Sequence, residues 1–225
     1  LFFKSMKVLE LFKGSGSITN YYSDSDVEVI SLDILEKYNP TICSDIMEWN
    51  YKIYPVGYFD IIFAGPECKV FSMLQNCNVI AHNKTAEDYK KKMTYNSIDE
   101  LNKVREDNSI YINKTIEIIE YFKPKKYFIE NPQYSKIWDY VENKKYLDKY
   151  FLTTYCYWGT TLYKKSTKIL TNIDYEHKCC KCEKHNIHLG ICSKKLMEQK
   201  KVGLDKSKLK NRYEYPYEML KYLLN

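Results

Sequence analysis

The feature that most constrains the fold is a series of short apolar runs, each of which stops at a glycine or a polar residue. The runs cover residues 7–12, 27–32, 41–43, 59–64 and 126–130, followed by 150–157 and 167–173. Stretches with helical spacing lie between them, most clearly over residues 110–122, where Pro124 ends the helix. Short strands that alternate with helices predict an α/β fold with a mostly parallel central sheet.

Polar residues follow four of these predicted strands. They are Asp33, Asp45, Cys68 and Glu130. In a parallel α/β sheet ligands bind at the carboxyl ends of the strands, so we expect these four side chains along one rim. Residues 72–107 are polar and lack a clear period, which predicts a long loop with helical pieces and is typical of a functional segment.

Charge is concentrated in one stretch of the chain. Residues 178–212 contain 11 Lys and Arg against three Asp and Glu, a surplus of +8, so in a chain of net charge +6 the remainder carries −2. One basic segment on a near-neutral body favours a polyanionic partner, although an exposed lysine-rich face explains the charge equally well. No run approaches the roughly 20 apolar residues that span a bilayer, so we expect no membrane partner.

Four of the eight cysteines, Cys179, Cys180, Cys182 and Cys192, crowd into the start of this basic segment. Eight cysteines in 225 residues are too few for a disulfide scaffold. Cys179-x-x-Cys182 followed by His188-x-x-x-Cys192 has the spacing of a zinc site. Free thiols and exposed histidines are an equally good interpretation.

The first predicted strand is followed by the sequence Leu-Phe-Lys-Gly-Ser-Gly, which ends at Gly16. Two glycines before a helix let the backbone approach a ligand closely. The third glycine of a dinucleotide fingerprint is missing, which disfavours NAD. A carboxylate at Asp33 can bind ribose hydroxyls, and Asp45 can accept a hydrogen bond from an adenine amino group. Together these residues favour an adenosine-type cofactor over a plain tight turn.

Two further motifs carry reactive groups. Cys68 lies beyond the end of a buried strand, between Glu67 and Lys69, which favours a nucleophile over a small core cysteine. Glu130 ends another buried strand and begins the sequence Glu-Asn-Pro. A carboxyl group there can bind a ring nitrogen or donate a proton, whereas a lone glutamate would more often cap a helix or form an ion pair.

The order of these motifs resembles the DNA (cytosine-5) methyltransferase family, in particular a small member of the kind that viruses and phages encode. The order is F-x-G-x-G, Asp, Asp, P-x-C-x-x-F-S, E-N-P and a basic strand, within residues 8–171. The resemblance implies a Rossmann-like S-adenosylmethionine-dependent methyltransferase fold with a small basic Cys/His-containing appendage. It assigns S-adenosylmethionine binding to Phe12, Gly14, Gly16, Asp33, Asp45 and Pro66.

The same resemblance implies methyl transfer to C5 of cytosine in DNA. Cys68 would add to C6 of a flipped-out base and Glu130 would face the ring, while Lys165 and Lys168 fall where the family has Q-x-R-x-R. Glu67 replaces the family's second proline, and we expect its charge to raise the pKa of the thiol, with Lys69 as an offset. Lysines in place of arginines lose bidentate geometry.

The resemblance divides the chain into three parts. Residues 6–173 form the catalytic domain, residues 174–212 form a short basic DNA-recognition segment, and residues 213–225 form a helix that packs back on the catalytic domain. The candidate zinc ligands Cys179, Cys182, His188 and Cys192, which come from spacing alone, lie in the second part. We expect an intracellular protein, cytoplasmic or nuclear, with DNA as its partner.

Two alternatives stay open. One is a methyltransferase-fold protein that binds DNA or another partner with little or no catalysis, and the other is an RNA cytosine-5 methyltransferase. The order of P-x-C before E-N-P favours the DNA family. Adenine or N4 methylation is rejected, because the sequence Glu-Asn-Pro-Gln that begins at Glu130 lacks the second proline and the aromatic residue of the motif for that chemistry.

Overall fold

The computed structural model describes residues 5–79, 95–158, 165–180 and 213–225. Within these ranges the strands are β1 (Lys7–Leu11), β2 (Glu28–Asp33), β3 (Ile42–Cys43), β4 (Ile61–Ala64), β5 (Lys126–Pro132), β6 (Tyr150–Thr154) and β7 (Ser166–Thr171). The helices are α1 (Ser17–Tyr21), α2 (Ile98–Asn108), α3 (Ile110–Phe122) and α4 (Tyr217–Leu224).

All of these strands belong to one seven-stranded sheet in the order β3-β2-β1-β4-β5-β7-β6. Neighbours from β3 to β5 pair in parallel, whereas β7 runs antiparallel to both β5 and β6. The chain builds outward from β1 to β3 and then returns to β4 on the other side of β1. The gap between β1 and β4 is therefore a topological switch point, where Rossmann-like folds bind ligands. The prediction of a Rossmann-like fold with a mostly parallel sheet is confirmed.

Successive residues of a strand point to opposite sides of the sheet, and in these strands both sets of side chains are mostly apolar. Both faces of the sheet are therefore covered by helices. One face packs against α3 and the other against α1 and α4. The first layer contains Leu9, Ile62 and Ile129 with Ile112, Ile116 and Ile119. The second contains Val8, Phe63 and Phe128 with Ile18, Met219 and Leu223. Burial of this kind stabilises a fold by about 25 cal/mol per Å² of apolar area.

The expected strand over residues 150–157 was wrong in its second half. The strand stops at Thr154, and a 3-10 turn follows over Tyr155–Trp158. The Trp158 indole N–H donates to Thr153 Oγ1 at 2.7 Å, which folds the chain back over the strand that it has just left. Tyr155, the first residue of this turn, is fully buried.

The polar stretch 72–107 contains a 3-10 helix over Met73–Asn78 and helix α2, and residues 80–94 lie outside the described part of the chain. Ser97 caps α2 by accepting a hydrogen bond from the Glu100 N–H at 3.1 Å. Among the helices described, none has the length and apolar character needed to cross a membrane.

Candidate active site

Sheet topology brings the four polar residues that were predicted at strand ends to one edge. Asp33 is the last residue of β2, Asp45 follows β3, Cys68 follows β4 and Glu130 lies near the end of β5. Because β2, β3, β4 and β5 are mutually parallel, all four residues lie at the carboxyl side of the sheet. The switch point between β1 and β4 lies between the two aspartates and the other two residues.

The loop after β1, residues 12–16, is held by the neighbouring strand; we call it the glycine loop. Phe12, Gly14 and Gly16 all have positive φ, at 58°, 49° and 71°. The Gly14 N–H donates to Asp33 Oδ2 at 2.9 Å, and the Leu35 N–H donates to Asp33 Oδ1 at 2.8 Å. A left-handed phenylalanine stores strain that the surrounding contacts must support, and such residues concentrate at functional sites.

The remaining residues predicted to bind the cofactor flank this loop. Asp45 is half-buried, and its Oδ1 accepts a hydrogen bond from the Met47 N–H at 2.9 Å. Pro66 is buried, and its carbonyl oxygen accepts from Asn131 Nδ2 at 2.8 Å. Asn131 directly follows Glu130, so this bond ties the loop that carries the cysteine to the strand that carries the carboxylate.

Glu130 is surrounded by side chains from distant segments, which we call the Glu130 cluster: Glu130, Tyr155, Lys165 and Tyr215. Glu130 is only 6% exposed. Its Oε1 lies 3.3 Å from Lys165 Nζ and 3.4 Å from the Tyr155 hydroxyl, while its Oε2 lies 3.5 Å from the Tyr215 hydroxyl. Lys165 Nζ also donates to the Tyr155 hydroxyl at 3.1 Å. A buried carboxylate thus has a cation and two phenols as neighbours, at the long end of hydrogen-bond distance.

The Cys68 thiol lies in the electric field of this cluster. Burial raises the pKa of Cys68 most, the charge of Glu130 raises it further, and the charge of Lys165 lowers it. Glu67 raises the pKa as the sequence predicted, but its contribution is smaller than those of burial and Glu130. The cation that offsets them is Lys165, which is distant in sequence, where we had expected the adjacent Lys69.

Lys168 lies apart from the carboxylate. Its Nζ is 4.5 Å from the ring centroid of Tyr150 and 5.3 Å from that of Trp138, and burial lowers its pKa. The structure therefore brings together Cys68, Glu130 and Lys165 of the predicted catalytic residues, and it directs Lys168 to an aromatic pair.

Sequence reasoning missed three residues of the site. Asn131 was visible in the Glu-Asn-Pro motif, but no local pattern pointed to Tyr155 or Tyr215. Tyr215 precedes α4, and its N–H donates to Ser17 Oγ at 3.0 Å. A Cβ at position 65 would overlap the Tyr215 hydroxyl, so this approach requires the glycine that follows β4.

The predicted zinc ligands are mostly outside the described residues, since Cys182, His188 and Cys192 lie in the range 181–212. Cys179 is exposed, and the neighbouring Cys180 N–H donates to Thr154 Oγ1 at 2.8 Å. In the part of the chain that the structure describes, no three His, Cys, Asp or Glu side chains are grouped as metal ligands. The zinc site stays a prediction.

A comparison with known proteins tests the family resemblance that the motifs indicate. No family model matches the chain. Over 172 residues, however, the chain is 26% identical to the probable DNA (cytosine-5)-methyltransferase of frog virus 3, an alignment that covers 75% of this chain and 72% of that protein. The resemblance to the DNA (cytosine-5) methyltransferase family is confirmed.

Two solved methyltransferase structures align with part of this chain. The Entamoeba histolytica methyltransferase EhMeth aligns over 78% of this chain and 57% of its own with 16% identity and a TM-score of 0.49. The Dnmt2 methyltransferase of S. pombe aligns over 77% of this chain and 52% of its own with 15% identity and a TM-score of 0.44. The chain thus spans little more than half the length of these structures.

Proposed function

We propose that this chain transfers a methyl group from S-adenosylmethionine to C5 of cytosine in DNA, through a covalent bond between Cys68 and C6 of the base. The observation that carries the proposal is geometric: a thiol and a buried carboxylate lie at the carboxyl ends of the neighbouring parallel strands β4 and β5, and the Asn131 Nδ2 bond to the Pro66 carbonyl joins the two loops. Addition to a pyrimidine needs both groups, one to bond to carbon and one to hold a proton at a ring nitrogen.

The glycine loop fits the proposed cofactor. A Cβ built on Gly14 has, among the described atoms, only the Phe12 carbonyl oxygen within 4 Å, at 3.8 Å, so the backbone is open to a ligand. The Asp33 carboxylate has lone pairs left for ribose hydroxyls. Ile34 and Met47, which are 60% and 40% exposed, offer apolar surface for an adenine ring next to Asp33 and Asp45. When bound, S-adenosylmethionine supplies an electrophilic methyl group.

The residues on the other side of the switch point activate the base. Cys68, once its proton is lost, forms the bond to C6, and the cation of Lys165 favours the thiolate by lowering the pKa. Glu130 holds a proton at N3, which stabilises the adduct and makes C5 electron-rich. Loss of the C5 proton and cleavage of the bond between sulfur and C6 then release Cys68 as the thiolate, and the proton at N3 returns to Glu130. The hydroxyl groups of Tyr155 and Tyr215 each face one oxygen of this carboxylate.

A pocket of about 340 Å³ adjoins the Glu130 cluster through Lys165, which is part of both; its lining also includes Ser72, Pro132, Tyr134 and Ser166. A cytosine within a duplex cannot reach a buried carboxylate unless it leaves the base stack. The name of the viral relative supports DNA as the substrate and a virus as the source of the chain. The basic residues of 174–212 would then bind phosphates, which predicts salt-dependent affinity.

A protein that binds DNA with little catalysis is the second candidate. The raised pKa of Cys68 favours it, because a smaller thiolate fraction at neutral pH slows addition. Methyl transfer to RNA is the third candidate, since a flipped cytosine presents the same ring in both nucleic acids.

The test is methyl transfer from tritiated S-adenosylmethionine to cytosine-containing DNA and to RNA of the same sequence, followed by nucleoside analysis. We expect 5-methylcytosine in the DNA. DNA that contains 5-fluorocytosine should form an adduct that survives denaturation, because fluorine blocks the final elimination. Cys68→Ser should abolish both results and leave cofactor affinity unchanged, whereas Cys43→Ser, an exposed cysteine on β3, should change neither.

Each alternative gives its own outcome. Methylated RNA with unmodified DNA would reassign the substrate. DNA binding without methyl transfer or adduct would favour the non-catalytic protein. Full activity of Cys68→Ser would remove the nucleophile from the proposal.

A further inference from the structure

The backbone that follows Cys68 is held at three successive carbonyl oxygens. Arg105 Nε donates to the Val70 carbonyl at 3.0 Å, and Arg105 Nη2 donates to the Ser72 carbonyl at 3.3 Å. Between them, the Phe71 carbonyl accepts from the Lys136 N–H at 2.9 Å. Unpaired carbonyl groups in a loop normally bond to water, so three consecutive protein partners mark a segment whose course is fixed.

Arg105 lies on α2 in a buried environment where each of its donor groups has an acceptor. Its side chain is 2% exposed, and its guanidinium also donates to Asn102 Oδ1 at 3.2 Å and to Asn76 Oδ1 at 3.0 Å. Among the described residues it has no carboxylate within ion-pair distance. A buried charge that only neutral acceptors stabilise is costly, and it persists where all of its hydrogen bonds are made.

The choice of arginine is informative in this chain. The sequence has 35 Lys and Arg residues, of which only Arg105 and Arg212 are arginine. A planar guanidinium presents several N–H groups in fixed directions, whereas a lysine ammonium is a single point charge. Four acceptors on different segments can be held together by the first group but not by the second.

These contacts place Cys68 between two fixed points. On its N-terminal side the Pro66 carbonyl is held by Asn131, and on its C-terminal side the Val70 carbonyl is held by Arg105. Asn131 is adjacent to Glu130, and Lys136 follows on the same segment. The loop that carries Cys68 is therefore bonded, on both sides of the cysteine, to the segment that carries Glu130.

We propose that Arg105 is a positioning residue, which acts through the Val70 and Ser72 carbonyls to hold the Cys68 loop at the geometry that addition to the base requires. The proposal rests on the function proposed above, but the effect of the Arg105 bonds to the Val70 and Ser72 carbonyls, which we call the Arg105 clamp, can be measured without an activity assay. An error of about 1 Å in the position of a nucleophile costs on the order of 10²-fold in rate.

The experiment compares Arg105→Met and Arg105→Lys with Lys103→Met, which removes an exposed cation from the same helix. Trypsin cleavage after Lys69, an exposed residue between Cys68 and Val70, is followed by mass spectrometry of the fragment that begins at Val70. We expect Arg105→Met to raise this cleavage rate about tenfold or more, because proteolysis tracks the population of the opened segment. Arg105→Lys should give a smaller increase, and Lys103→Met should give none.

Activity supplies the second readout. In Arg105→Met the rate of adduct formation with 5-fluorocytosine DNA should fall about 10²-fold, with unchanged affinity for S-adenosylhomocysteine, since the glycine loop is separate from α2. Unchanged cofactor affinity also reports that the variant is folded. Unaltered cleavage after Lys69, or an unaltered rate of adduct formation, would overturn the assignment. If wild-type protein forms no adduct at all, the proposed function fails. The rate of cleavage after Lys69 in Arg105→Met then decides by itself whether the Arg105 clamp holds the Cys68 loop.

Discussion

The glycine loop and the Glu130 cluster lie on opposite sides of the same switch point, but they are constructed differently. The glycine loop is held by backbone N–H groups and one carboxylate within a short stretch, as in the bond from Gly14 to Asp33, 19 residues apart. The Glu130 cluster is held by side chains from separate segments, including Tyr215, which is 85 residues from Glu130. The first construction suits binding, and the second suits control of charge. Substitutions in the two regions should therefore affect different measured quantities.

The largest effect is expected in the Glu130 cluster. Glu130→Gln keeps the size and hydrogen-bonding shape of the side chain but removes the acid. Methyl transfer should fall by about 10²- to 10⁴-fold, the usual contribution of a general acid or base. Affinity for S-adenosylhomocysteine should not change. Single-turnover kinetics with tritiated cofactor and calorimetry measure the two quantities separately.

Glu67→Gln is the matched control, because it removes an exposed carboxylate that is also close to Cys68 in sequence. Its methyl transfer rate should stay near that of the wild type. Equal losses in the two variants would mean that general negative charge near the thiol matters, and not the acid at position 130.

A smaller effect is expected in the glycine loop. Asp33→Ala removes the acceptor of the Gly14 and Leu35 N–H groups and the proposed ribose contact. Cofactor binding should weaken by about 1–3 kcal/mol, the scale of a hydrogen bond to a charged group. The rate of methyl transfer at saturating cofactor should be largely kept. Gly14→Val should likewise weaken binding, because it adds a side chain at a left-handed position.

Asp26→Ala serves as the control for this region, since it removes an exposed carboxylate just before the opposite end of β2. Its calorimetric affinity should equal that of the wild type. If Asp33→Ala and Gly14→Val both bind the cofactor normally, the glycine loop is not the cofactor site.

The two regions also differ in how far the sequence predicted them. The glycine loop follows from local order, because a strand, two glycines and an aspartate at the next strand end are adjacent in any parallel sheet of this topology. Cys68 and Glu130 were predicted for the same reason. Tyr155 and Tyr215 were not, because their side chains reach Glu130 only after a turn closed by Trp158 and the return of the C-terminal segment to Ser17.

The prediction of the fold from the sequence is limited in the same way, to features that leave a local pattern. The sheet and helix α3 were predicted, since burial on both faces and a 3.6-residue period leave clear patterns. The end of β6 was misplaced because residues 155–158 are as apolar as a strand, whereas the bonds of their turn, from Trp158 Nε1 to Thr153 Oγ1 and from the Tyr155 N–H to the Lys165 carbonyl, leave no local pattern. Likewise, the buried Arg105 lies in a polar helix with no local sign of its carbonyl partners.

The smallest expected effect is a shift in the pH dependence of Cys68 alkylation. Burial and the charge of Glu130 raise the pKa of Cys68, and the charge of Lys165 lowers it. The thiolate is the reactive form, so alkylation of Cys68 should accelerate with rising pH, with a midpoint above the ordinary value for a cysteine. Removing the cation should move this midpoint further up, and removing the carboxylate charge should move it down.

Alkylation by iodoacetamide at a series of pH values, with the Cys68 peptide quantified by mass spectrometry, tests both signs. Lys165→Met should shift the midpoint to higher pH and Glu130→Gln should shift it to lower pH, while Lys69→Met, an exposed cation beside the thiol, should leave it nearly unchanged. A shift in Lys69→Met with none in Lys165→Met would show that the sequence neighbour controls the thiol. Opposite shifts in the first two variants would instead show that the Glu130 cluster, assembled by the fold, sets the reactivity of Cys68.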